Sequence, residues 1–135
     1  MPTTSSISYG TVAATSLPFD QAIERVKSLL KDEGFGILCE INVTKTLKEK
    51  INADFRPYVI LGACNPQLAH QALSSEAQLG LLLPCNVVVQ AQDDQTLISV
   101  VDAQKMLDIV GNPELGALAR EANMRLQRVM EKLPT

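Results

Sequence analysis

Two Cys-Asn pairs and a lone histidine are the residues of this 135-residue chain whose types and spacing could do chemistry. Cys64-Asn65-Pro66 leads to His70, and Cys85-Asn86 follows further on. Asn65-Pro66 is a strong helix start, because Asn accepts a backbone N–H as a cap and Pro suits the first turn. Cys64 therefore stands at a helix N-terminus, where unpaired N–H groups favour thiolate over thiol. His70, the single His of the chain, falls about a turn and a half into that helix. Two thiols and an imidazole could handle a thiol or a sulfur species, or bind a soft metal ion. Cys64, His70 and Cys85 would give zinc or copper three ligands and leave one position open. The plainer alternative is structural. Free cysteine usually packs as a small apolar residue, a helical His often satisfies a nearby carbonyl, and Asn65 and Asn86 serve as caps and turn residues.

No stronger motif competes with this group. There is no phosphate-binding glycine loop, no C-x-x-C and no H-E-x-x-H, and one His excludes a two-His metal site within a protomer. The sequence names no reaction and no cofactor. Its candidate partners are a small molecule or a metal ion at Cys64, Asn65, His70, Cys85 and Asn86.

Several elements must position those residues. A first strand is expected over residues 6–14. Apolar residues at Phe19, Ala22, Ile23, Val26, Leu29 and Leu30 recur at the helical period. Pro18 suits the start of that helix, and Gly34 suits its end. Residues 35–43 read as a strand and 44–51 as a short polar helix capped by Thr44. Tyr58 to Ala63 is a near-continuous apolar run, the pattern of a strand covered on both faces. After the Asn65 helix, residues 87–90 and 96–101 read as a hairpin turning at Asp93-Asp94. Asp102 caps a short helix, and Asn112-Pro113 opens a last one with a regular apolar stripe through Leu133. If the strands that carry Cys64 and Cys85 run antiparallel, the two thiols share one end of the sheet; if parallel, a strand length separates them.

Composition narrows the partners. A formal net charge of −3 with no basic stripe argues against nucleic acid. Aromatic residues at 4% are too few for a single-strand stacking platform. The opening Met1-Pro2-Thr3-Thr4-Ser5-Ser6 lacks the charged and apolar regions of a leader. No apolar run reaches membrane-spanning length, so no membrane is expected. A cytoplasmic setting follows, in which the three cysteines stay reduced. The length fits one domain, 1–135. An open sheet would leave strand edges, and the predicted strands carry few charges to protect them, so a homodimer is expected.

Longer segments carry a resemblance. Phe55-Arg56-Pro57-Tyr58-Val59-Ile60-Leu61-Gly62-Ala63-Cys64-Asn65-Pro66 with Leu68-Ala69-His70, then Gly80-Leu81-Leu82-Leu83-Pro84-Cys85-Asn86-Val87, then Val110-Gly111-Asn112-Pro113-Glu114-Leu115, resemble the family called domain of unknown function 302. The resemblance covers about residues 19–133. It implies an α+β fold: a curved antiparallel sheet with helices on one face, a TBP-like β-α-β4-α arrangement. It therefore implies that Cys64 and Cys85 share one end of the sheet. The family's motif positions correspond to Cys64, Asn65, His70, Cys85 and Asn86, and the family has no established activity. Two function classes remain open. One is a thiol, redox or soft-metal module at the Cys/His pocket. The other is a non-catalytic small-ligand or protein-interaction domain in which the Cys-Asn pairs only shape turns.

Overall fold

The computed structural model describes residues 3–135. Met1 and Pro2, which begin the stretch read for a leader, lie outside it. Six strands form one open antiparallel sheet: β1 Thr3–Ile7, β2 Gly10–Thr15, β3 Gly36–Asn42, β4 Tyr58–Cys64, β5 Cys85–Gln92 and β6 Gln95–Val101. Their spatial order is β1-β2-β6-β5-β4-β3. Five helices accompany them: α1 Phe19–Asp32, α2 Val43–Ile51, α3 Pro66–Ser75, α4 Ala103–Asp108 and α5 Gly116–Glu131. Short 3₁₀ segments occupy Ala77–Leu82 and Pro113–Leu115. Without β1 and the short helices, the order is β-α-β4-α.

The main core lies between one face of the sheet and helices α1 and α5. Ala22, Ile23, Val26 and Leu30 of α1 and Leu126, Val129 and Met130 of α5 bury their stripes against Val59, Leu61, Val87, Val89 and Ile98. Both stripes are legible in the sequence, since side chains three and four apart share a helix face. A second, smaller cluster joins Ala72, Leu79, Leu107, Leu115 and Ala119. Gly34, at φ +85°, ends α1. Its N–H donates to the Lys31 carbonyl, and the Phe35 N–H donates to Leu30 at 2.9 Å, the paired bonds of a left-handed helix stop.

Local details depart from the expectations. The first strand is two: residues Ser8 and Tyr9 turn the chain, and β1 pairs with β2 from Thr3↔Ala14 to Ile7↔Gly10. The sheet thus has six strands. Asn42, not Thr44, caps α2 by accepting the Lys45 N–H. The Thr44 hydroxyl instead donates to the Arg56 carbonyl and accepts the Tyr58 N–H, tying the 52–57 loop to the start of β4. The hairpin turn is as read: Asp93 and Asp94 both take positive φ, which matches the right-handed twist of the flanking strands. β4 alternates over its first half instead of burying both faces, and of its outward residues Gly62 is buried, under Cys39 and Pro84. Val59, Leu61 and Ala63 are buried while Tyr58 and Ile60 are only half-buried, because the helices cover one side of the sheet. Among the described residues no helix is long and apolar enough to cross a membrane.

Replacing Leu30, which is fully buried, by Ala should cost about 2–5 kcal/mol through lost burial and a cavity. Replacing Leu81, which is 84% exposed, should change stability by less than about 0.5 kcal/mol. Urea denaturation of the two variants checks this; equal effects would contradict the placement of the core.

Candidate functional site

β4 ends and β5 begins at the same end of the sheet. Their antiparallel register sets Gly62 opposite Asn86 and Ala63 opposite Cys85. Cys64 is therefore one residue beyond the partner of Cys85. The charge of a Cys64 thiolate is felt at Cys85 and raises its pKa, so the two thiols are electrostatic neighbours. Both are free, as is the exposed Cys39.

Asn65 is buried, and its side-chain oxygen accepts the Leu68 N–H at 3.2 Å to cap α3, with Pro66 in the first turn. The cap fixes which face of α3 turns inward. Leu68, Ala69 and Ala72 line a cleft together with Cys64, Asn65 and Cys85. Opposite them stand Met106 and Leu107 of α4 and Leu118 and Ala122 of α5. Phe35 and Ala63 close it from the main core, so the cleft follows the seam between the two apolar clusters. Its cavity is about 50 Å³, and no charged side chain lines it.

The expected meeting of Cys64, His70 and Cys85 does not occur. His70 is exposed and is absent from the cleft wall. At 100° per residue, the face carrying Leu68, Ala69 and Ala72 turns position 70 toward solvent with Leu73, which is 40% exposed. The His70 carbonyl accepts the Ser74 hydroxyl at 2.7 Å. Asn86 is also exposed, on the opposite face of β5 from Cys85. Among the described residues no three His, Cys, Asp or Glu side chains gather to hold a metal ion. The three-ligand zinc or copper site expected from Cys64, His70 and Cys85 is therefore not built.

The thiol chemistry also runs against expectation. The α3 N-terminus was expected to favour a Cys64 thiolate. Burial instead raises the Cys64 pKa above its ordinary value, since removing water disfavours the charged thiolate. Cys85 is pushed up to about 11, first by burial and then by neighbouring Cys64. Both thiols are neutral near pH 7, and the redox reading loses the reactive thiolate on which it rested.

Sequence reasoning missed the apolar half of the cleft. Leu68, Ala69 and Ala72 carry its signal, since they fall at i, i+1 and i+4 of a capped helix. The same periodicity excludes His70 from that face. Met106, Leu107 and Leu118 are brought in by α4 and α5 from far along the chain, and no local pattern marks them.

The model of the family described as domain of unknown function DUF302 matches residues 11–133. The chain belongs to the DUF302 family. A crystal structure of an uncharacterized conserved protein DUF302 from Bacillus stearothermophilus is similar throughout. It has 32% sequence identity and a TM-score of 0.88, covering 94% of this chain and 99% of that one. Comparison with curated proteins finds no match. Membership in DUF302 carries the fold, an open antiparallel sheet with helices on one side, and supplies no activity.

The raised Cys85 pKa makes stability pH-dependent. Between its ordinary value of 9.0 and about 11, the folded protein keeps a proton that the unfolded chain releases. The contribution is fully present below about pH 9 and is lost as pH rises toward 11, by roughly 2–3 kcal/mol. Wild-type stability should therefore fall more steeply across that range than that of Cys85→Ala, measured by urea denaturation at successive pH values. Parallel curves would contradict a buried, protonated Cys85.

Proposed function

We propose that this DUF302 protein is a binding module for a small, uncharged apolar group. The group enters the cleft beneath α3, with Cys64, Asn65 and Cys85 in its wall. The observation that carries this reading is the wall itself: apolar side chains, the helix-capping Asn65 and two neutral thiols around about 50 Å³ of open volume. Small-molecule sites are concave and mainly apolar, with few polar groups. An engineered dry cavity of about 150 Å³ lined by aliphatic side chains accepts benzene. The smaller volume here fits a short aliphatic molecule or the tip of a longer ligand. A charged ligand would find no counter-charge, and burying it unpaired would cost several kcal/mol.

The elements over the cleft suit entry. α3 buries only Ala72, and α4 only Ala103 and Leu107. Elements with few buried apolar contacts open at lower cost than the core does. A cytosolic setting is supported by the three free thiols. Asn65 then fixes the helix that roofs the site, and Cys85 serves as a soft, polarizable wall.

Titration with short n-alkanols, followed by amide NMR, tests the reading. Saturable shifts should centre on Cys64, Leu68, Ala72 and Met106, and Ala72→Leu should remove them by filling the cleft while the fold is retained. Shifts spread evenly over the surface, or unchanged by Ala72→Leu, would contradict it.

A further inference from the structure

The outer face of the sheet mixes apolar side chains with neutral polar ones and lies away from the helices. One continuous row crosses it through the pairings Val12↔Ser99, Ser99↔Val88, Val88↔Ile60 and Ile60↔Ile41. Val12, Ser99, Val88 and Ile60 are half-buried, and Ile41 is 45% exposed. Beside this row lie Leu97 and Tyr58, which flank Gln90 through the pairings Gln90↔Leu97 and Tyr58↔Gln90. The strands behind this face have the composition of doubly covered strands, although helices cover only the other side. Phe55 packs on Tyr58, and Cys39 and Pro84 lie over Gly62, but the helices leave the rest of the outward residues uncovered.

The face also lacks charge. Glu40 is the one charged residue in all six strands. Its carboxylate pairs with Lys27 of α1 at 3.1 Å, on the helix side. Every outward position from β1 to β3 is apolar or neutral, on a chain whose other 26 charged residues lie in helices and loops (12 basic plus 15 acidic, less Glu40).

We propose that this face docks a second copy of the chain, sheet against sheet about a two-fold axis. An isologous contact sets a patch against itself, so every charge on it faces the neighbourhood of a like charge. A patch whose strands carry no outward charge is complementary to itself, whereas a nucleic acid or an anionic membrane finds only Arg56, at its border on Phe55, as a counter-charge. The extent is suitable. Six strands about 4.8 Å apart and about 20 Å long make a face of roughly 500 Å² in projection. With side-chain relief, that approaches the accessible area of about 800 Å² per partner in a stable interface. Edge pairing, the route expected from the sequence, fits less well. The β3 edge is interrupted by a bulge between Ile37 and Cys39, a device that turns an edge away from partners.

Sedimentation equilibrium of the full chain at micromolar concentration tests the proposal. The wild type should have about twice the 14.7 kDa chain mass. Ser99→Lys and Val88→Glu, each placing a charge at the centre of the face, should sediment as monomers with unchanged circular dichroism. Ile41→Arg, at a position already partly exposed, keeps the test decisive if a central variant fails to fold. A wild type of single-chain mass, which would leave the face to a different partner, overturns the proposal. Folded variants that all stay dimeric also overturn it.

Discussion

The antiparallel pairing of β4 with β5 sets Ala63 opposite Cys85, and the candidate site follows from that register. Two strands that pair in opposite directions bring the end of one and the start of the next to the same end of the sheet. The chain between them must leave and return at that end, and it does so as α3 and the 3₁₀ segment Ala77–Leu82. Those residues cannot reach the main core, which α1 and α5 already cover. They bury their apolar side chains against α4 and the start of α5, forming the second cluster. A cleft remains where the two clusters meet.

α5 and the end of α1 hold the clusters in place. Leu126, Val129 and Met130 of α5 belong to the main core, and Ala119 belongs to the second. Arg125 of the same helix donates to the Glu33 carbonyl at 2.9 Å, while Arg128 pairs with the Glu33 carboxylate at 2.9 Å. The turn they hold includes Gly34, where a Cβ would lie 3.0 Å from the Asn65 amide and 3.1 Å from the Arg125 guanidinium. Glycine at this point satisfies two needs, a left-handed conformation and room for two side chains. Asn65 thus caps α3 while packing against the stop of α1, and one contact sets the position of the cleft roof relative to the main core.

Much of this was legible in the residues. The stripes of α1 and α5, the caps at Asn65 and Asp102, the stop at Gly34 and the Asp93-Asp94 turn are local signals, readable from spacing and conformational preference. Cys64 and Cys85 sharing one sheet end came from the family resemblance, since spacing alone left parallel and antiparallel strands open. His70 shows where local reading stopped short. Its nearness to Cys64 in sequence suggested a shared pocket, but helical geometry turned it to solvent. The Cys64 thiol shows a second limit. A helix N-terminus is visible in sequence, whereas the burial that raises the thiol's pKa depends on the assembled fold. The apolar run of β4 has the composition of a strand covered on both faces, yet the helices cover only one.

The central claim is that the seam between the two clusters is a real apolar binding volume bounded by Cys64, Ala72, Cys85 and Met106. Diffraction from crystals held under xenon tests it most directly, because xenon enters apolar cavities without needing a polar partner. The account predicts ordered xenon density in that cleft, lost in Ala72→Leu. A cleft that stays empty while xenon occupies another site in the same crystal would contradict it.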